Sequence, residues 1–128
     1  MSHDRAARSG EWLYIRNTYT HLNASPPADA VRGITYQEMI RLEAEGRLRD
    51  SQRQCFVTPR PKEELYDVKV DPYLLTNLAD DAKYADALGK MCAALDERIK
   101  ETEDRVPENP TPDRFDRKTG RALPKTAG

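Results

Sequence analysis

Apolar residues recur along this chain at two different periods. Across residues 81–102, Tyr84, Leu88, Met91, Leu95 and Ile99 step by four, three, four and four, with Ala85 and Cys92 widening the stripe. That spacing gathers them on one face of an α-helix. Lys83, Asp86, Lys90, Glu97 and Lys100 fall on the opposite face and are expected in solvent. Asp80 or Asp81 suits the helix start, where a carboxylate accepts free amides and meets the positive end of the dipole. Pro107 sets an outer bound for its end.

The second period is two. Trp12-Leu13-Tyr14-Ile15-Arg16-Asn17 is rich in β-formers and splits into a Trp12/Tyr14/Arg16 face and a Leu13/Ile15/Asn17 face. With Ser9-Gly10 as the turn it predicts a hairpin over residues 5–17, its second strand covered on both sides or nearly so. Leu65-Tyr66-Asp67-Val68 predicts another strand, with Leu65 and Tyr66 on opposite faces. Asp71-Pro72 then starts a turn, and Asn77-Leu78-Ala79 leads into the long helix.

Between these elements the pattern is weaker. Residues 18–33, with Pro26-Pro27, Asn23 and Gly33, read as a loop. Thr35-Tyr36-Gln37-Glu38 has the spacing of a capping box and predicts a helix over 36–45 that stops at Gly46. Residues 47–55 allow a second short helix, and Pro59 and Pro61 forbid regular structure just before residue 63. The prolines at 107, 110, 112 and 124 mark residues 105–128 as an extended or disordered tail. The fold class is therefore α+β, a small antiparallel sheet against one long helix.

Composition narrows the functions open to such a fold. The 128 residues suffice for one small domain, and 21 Lys+Arg against 22 Asp+Glu give no bulk field toward nucleic acid or an anionic membrane. The basic run Arg114-Phe115-Asp116-Arg117-Lys118 is broken by acids. Charged residues at 34% against 38% hydrophobic leave a thin core, or one that a neighbouring domain completes. No apolar run reaches the ~20 residues of a membrane span, and no secretory leader is visible. Cys55 and Cys92 have no partners at ligand spacing, so neither a zinc site nor a disulfide framework can be read from them.

Residues 63–81, Glu-Glu-Leu-Tyr-Asp-Val-Lys-Val-Asp-Pro-Tyr-Leu-Leu-Thr-Asn-Leu-Ala-Asp-Asp, resemble the E-L-Y-D-L-x-x-D-P-x-E-x-x-N-L-A signature near the C-terminus of sulfatases. Residues 5–15 likewise look like the R-x-V-R-x-G-x-x-K-Y-I hairpin that opens the sulfatase C-terminal subdomain, with Ala7 and Leu13 as departures. The resemblance covers about residues 4–104, and the run R-N-x-x-x-H-L from Arg16 resembles the heparan N-sulfatase-like branch. It implies a C-terminal subdomain over 1–104 that borders the substrate pocket of a larger hydrolase of sulfuric esters or sulfamates. Calcium and a formylglycine nucleophile would belong to an upstream catalytic domain.

No residue here matches that catalytic machinery. Cys55 is followed by Phe56-Val57-Thr58 rather than x-P-S-R, and Cys92 by Ala93-Ala94-Leu95, so neither is a formylglycine precursor. Asp80-Asp81 belongs to the helix start and takes no metal role. The substrate-proximal residues the resemblance implies are Arg16, Asn17, His21 and Asn23, where a guanidinium could hold a sulfate or carboxylate with two bonds. Leu65, Tyr66, Asp67, Asp71, Pro72, Asn77 and Leu78 are expected to serve structure. The implied partners are a sulfatase catalytic domain and a sulfated carbohydrate, with no nucleic acid and no membrane. The alternative is a free-standing protein-interaction module derived from a truncated sulfatase.

Overall fold

In chain order the elements are strand β1 (Arg5–Arg8), strand β2 (Trp12–Arg16), helix α1 (Ala28–Arg32), helix α2 (Ile34–Ala44), strand β3 (Glu63–Asp67) and helix α3 (Ala85–Thr102). The computed structural model describes residues 3–24 and 26–125. The chain forms two units. One joins the stretch up to Thr20 with Arg60–Asn109, and the other joins His21–Pro59 with the stretch from Pro110 onward.

The first unit is the α+β body. Its sheet is antiparallel in the order β1-β2-β3, with Tyr14 opposite both Ala7 and Leu65. Alternation along β2 sends Trp12, Tyr14 and Arg16 to the face covered by α3. Tyr14 and Leu65 are fully buried there, closed over by Met91 and Leu95, with Trp12, Tyr84, Leu88 and Ile99 around them. Trp12 meets Tyr84 edge to face at 5.8 Å between centroids. The apolar stripe of α3 thus packs on the sheet, although its widening residue is Ala87 rather than Ala85, which is exposed. Leu65 and Tyr66 do point to opposite faces, and both are buried.

Local chemistry fixes the joints of this body. The β1–β2 turn closes by Ser9 N–H to Trp12 O at 2.9 Å, and the Ser9 hydroxyl accepts the Trp12 amide. Asp81 accepts the Lys83 amide at 3.0 Å and starts a 3-10 turn that runs into α3. Past the last turn, Glu103 adopts φ 51° and Arg5 of β1 grips Asp104 through two of its nitrogens. That grip holds the Asp104 carboxyl below the usual carboxylate range. A group so lowered stabilises the fold above its unfolded pKa, near 3.9, and loses that contribution as pH falls through the lower folded value. Unfolding midpoints measured from about pH 5 to about pH 2 should therefore fall, and Asp104→Asn should flatten part of that slope.

The second unit departs from expectation in its first half. Residues read as loop contain α1, which Pro27 starts and Val31 anchors as a fully buried side chain. Gly33 ends α1 and serves as N-cap of α2, so α2 begins at Ile34 with no side-chain cap. The capping box on Thr35 is consequently not formed: Thr35 lies inside the first turn, and Glu38 pairs with Arg41. The other end of α2 follows the sequence. Gly46 takes φ 68°, with Gly46 N–H to Glu43 O and Arg47 N–H to Leu42 O, a Schellman closure. Residues 47–55 give two 3-10 turns, Asp50–Gln52 and Gln54–Phe56, instead of a helix, and Tyr36 stacks on Phe56.

The proline-rich stretch supplies the rest of this unit. Residues 114–123 close a short two-stranded turn with Phe115 opposite Ala122. The Gly120 carbonyl accepts from Arg32 at 2.8 Å, the Lys118 carbonyl accepts from Gln37 at 2.8 Å, and Gly120 itself is buried.

Candidate functional site

Arg16 ends β2 on the helix-covered face, and each nitrogen of its guanidinium has a partner. Nε donates to the Tyr14 hydroxyl at 3.2 Å, one terminal nitrogen to Asp96 of α3 at 2.7 Å and the other to Cys92 Sγ at 3.1 Å. The Tyr14 hydroxyl in turn donates to Glu63 at 2.6 Å. Burial disfavours the Arg16 charge, but its bonds to Asp96 and Tyr14 outweigh that and raise its pKa above the ordinary value. Burial and the Glu63 bond raise Tyr14 and keep it a neutral phenol. Chemically this is a chain of carboxylate, phenol, guanidinium and carboxylate, one cation between two anions, that ties β2 and β3 to α3.

Beside that chain lies a groove of about 370 Å³, with Glu63, Asp80 and Asp81 at its rim and Ala82, Leu88 and Cys92 among its apolar wall. Its acids are spread over β3 and the helix start. Among the described residues no group of three His, Cys, Asp or Glu could hold a metal ion. The two thiols lie in different surroundings. Cys55 is pushed up by burial and leans on the Gln52 carbonyl, and Cys92 sits against Arg16 and Asp96.

Asn17, one residue on, is a buried polar group. Its side-chain amide donates to Pro61 O at 2.9 Å and to Glu64, its backbone N–H to Lys62 O, and its oxygen accepts from Arg60. Arg60 also reaches Asp4 at 3.0 Å and Thr18 O at 2.8 Å. This clamp was not legible beforehand, because Arg60 stands between two prolines and its partners lie 42 to 56 positions away. His21 and Asn23 belong to the other unit. His21 is exposed, and Asn23 offers its carbonyl to Arg117 at 3.0 Å.

The residues of 63–81 form one continuous turn system. Asp67 Oδ1 accepts the Lys69 amide, and the Asp71 carboxylate accepts those of Leu75 and Thr76 at 3.0 and 2.9 Å. Pro72 follows Asp71 in a turn closed by Leu74 N–H to Asp71 O. Asn77 Oδ1 accepts the amides of Leu65 and Ala79 while its nitrogen donates to Glu63 O. Leu78 N–H then meets Leu65 O at 2.8 Å, and its side chain packs on the core. Removing the Asn77 side chain leaves the amide of fully buried Leu65 unpaired. Asn77→Ala is expected to cost about 2 kcal/mol in denaturant unfolding, more than an exposed turn Asn should.

Comparison with known proteins gives a clear relation. The chain is 41% identical over 93 residues to an ulvan-active sulfatase of Formosa agariphila. The match takes in 72% of this chain and 16% of that protein, so the chain corresponds to a minor part of its relative's length. No protein-family model matches. The chain is thus related in sequence to a sulfatase over 93 of its residues.

Proposed function

We propose that this chain is the C-terminal subdomain of a sulfatase-like hydrolase of sulfuric esters or sulfamates, completing the fold of a larger catalytic domain and bordering its substrate pocket. The observation that carries this reading is 41% identity spread over 93 residues of a sulfatase, of which those residues are only 16%. In this reading the nucleophile and the calcium site reside outside the chain, and the chain alone is inactive. Arg16, Asn17, His21 and Asn23 border the pocket. The internal engagement of Arg16 and Asn17 supports a shaping role for that pair, and the exposure of His21 supports direct approach to a sulfated sugar. The R-N-x-x-x-H-L run supports a place in the heparan N-sulfatase-like branch.

A second reading, a free-standing interaction module, draws on the exposed apolar side chains of the turn system. Val70, Tyr73 and Leu75 are 79%, 82% and 54% exposed, which is costly unless something covers them. Both readings supply a cover, and the mass of the native product separates them. An antibody against α3 should detect a polypeptide several-fold heavier than 14.6 kDa in the source cells. A band near 14.6 kDa alone would overturn the sulfatase-subdomain reading and leave the module.

A further inference from the structure

Between Asp113 and Lys125 the chain carries five cations, Arg114, Arg117, Lys118, Arg121 and Lys125, and two carboxylates, Asp113 and Asp116. In sequence the acids interrupt the cations. In the fold both acids are held by bonds within this segment. Asp113 pairs with Arg117 at 2.6 Å. Asp116 turns into its own loop and accepts the Lys118 and Thr119 amides and the Thr119 hydroxyl at 3.0, 2.7 and 2.9 Å. Those bonds, to Arg117 and to Thr119, hold both carboxyls below the usual range, so both remain anions committed to internal partners.

The remaining four cations are exposed, and none forms a salt bridge among the described residues. Their backbone is fixed. Asp116 N–H meets Arg121 O at 2.8 Å and Leu123 N–H meets Arg114 O at 2.9 Å on either side of the Phe115–Ala122 pair. Alternation across that pair puts Arg114 and Arg121 on one side, as diagonal neighbours about 7–8 Å apart. Lys118 stands at the turn tip, and Lys125 follows the ribbon. The bonds from Arg32 and Gln37 to the Gly120 and Lys118 carbonyls hold the ribbon to the helices of its unit.

We propose that this ribbon is a binding surface for a sulfated polysaccharide, holding a polymer by its sulfates independently of the pocket-bordering residues. The choice of polymer rests on the sulfatase reading. Guanidinium forks match the oxygens of a sulfate, and exposed ammoniums add charge without demanding geometry. Nucleic acid fits less well. Phe115, the one aromatic here, is on the opposite side of the ribbon from the arginines, which leaves no platform for a base beside them.

The test uses the whole 128-residue chain. Its affinity is measured for dextran sulfate, for unsulfated dextran and for a short DNA duplex. The variant Arg114→Gln/Lys118→Gln/Arg121→Gln/Lys125→Gln is compared with a charge-matched control, Arg8→Gln/Lys69→Gln/Lys90→Gln/Lys100→Gln, whose cations lie in the other unit. The expected result is binding to dextran sulfate that added salt weakens, a loss of about 10-fold or more in the ribbon variant, an unchanged control, and no binding to dextran. Matching thermal midpoints would confirm that the ribbon variant folds. Equal losses in both variants, an unaffected ribbon variant, or DNA held as tightly as dextran sulfate would each overturn the proposal. None of these readings depends on the mass of the native product, so failure here is separate from failure of the sulfatase reading.

Discussion

Leu65→Ala should be a severely damaging truncation in the sheet unit, lowering the unfolding free energy by about 3–4 kcal/mol. Leu65 is fully buried at the middle of β3, opposite Tyr14 and under α3, and its backbone is pinned on both sides. Refilling the space would require moving Tyr14, Met91 or Leu95, which share the core with Leu65, so most of the cavity is expected to persist. The informative partner is Leu13→Ala. Leu13 pairs with Tyr66 on the face away from α3 and is half-buried. Its truncation is expected to cost about 1 kcal/mol. Denaturant titrations of both variants, followed by Trp12 fluorescence, would read the difference. Equal losses would mean that the face under α3 is not where this unit keeps its core. A loss of about 3–4 kcal/mol is also a large part of the 5–15 kcal/mol available to a typical domain. The variant is therefore expected to unfold at a clearly lower temperature than the parent chain.

The second large effect falls in the helical unit. Gly120 has φ 67°, and a Cβ added there would stand 2.7 Å from the Ala28 carbonyl oxygen and 2.6 Å from Arg32 Cγ. Gly46 has nearly the same φ, 68°, but open space around the missing Cβ. The pair separates backbone strain from crowding. Gly46→Ala should cost about 1 kcal/mol, the strain of a left-handed L-residue. Gly120→Ala adds a clash with main chain that a rotamer change cannot relieve, and about 3 kcal/mol is expected. Hydrogen exchange of the α1 and α2 amides would locate the damage, and a Gly120→Ala effect no larger than that of Gly46→Ala would mean that the turn does not seat against α1.

How much of this was legible in the sequence follows from where the causes lie. The hairpin, β3 and α3 were readable because each is specified within its own few residues, by Ser9-Gly10, by β-branched and aromatic alternation, and by a five-member apolar stripe. Asp67, Asp71 and Asn77 were readable as amide acceptors for the same reason. Helix α1 was not. Its five residues are too few to show a period, and Pro26-Pro27 looks like a break when Pro27 in fact begins the helix. The Thr35 capping box misled because Gly33 already held the N-cap position, which is decided by α1 upstream and not by Thr35 itself. Ala85 has the spacing of the stripe, but the lie of α3 on the sheet selects Ala87. The partners of Arg16 could not be read at all. Asp96 and Cys92 are 80 and 76 positions away, and no local pattern encodes such a pairing. The ribbon at 114–123 was hidden by composition, since prolines at 110, 112 and 124 flank it and say nothing of the Asp116–Thr119 turn between them.

The outward side of β3 limits how such sheets can join. Glu63 O, both polar atoms of the Leu65 backbone and Asp67 O are already taken by Asn77, Leu78 and Asp71 of the same chain. A sheet grows without limit only if each added unit brings a fresh edge on its far side. Here those four groups on the far side are occupied from within the chain, and the four-residue β1 is the other edge. Copies meeting there could form a closed pair, and growth would end at two. Edge-to-edge growth of the sheet through β3 is thus opposed by hydrogen bonding rather than by surface charge.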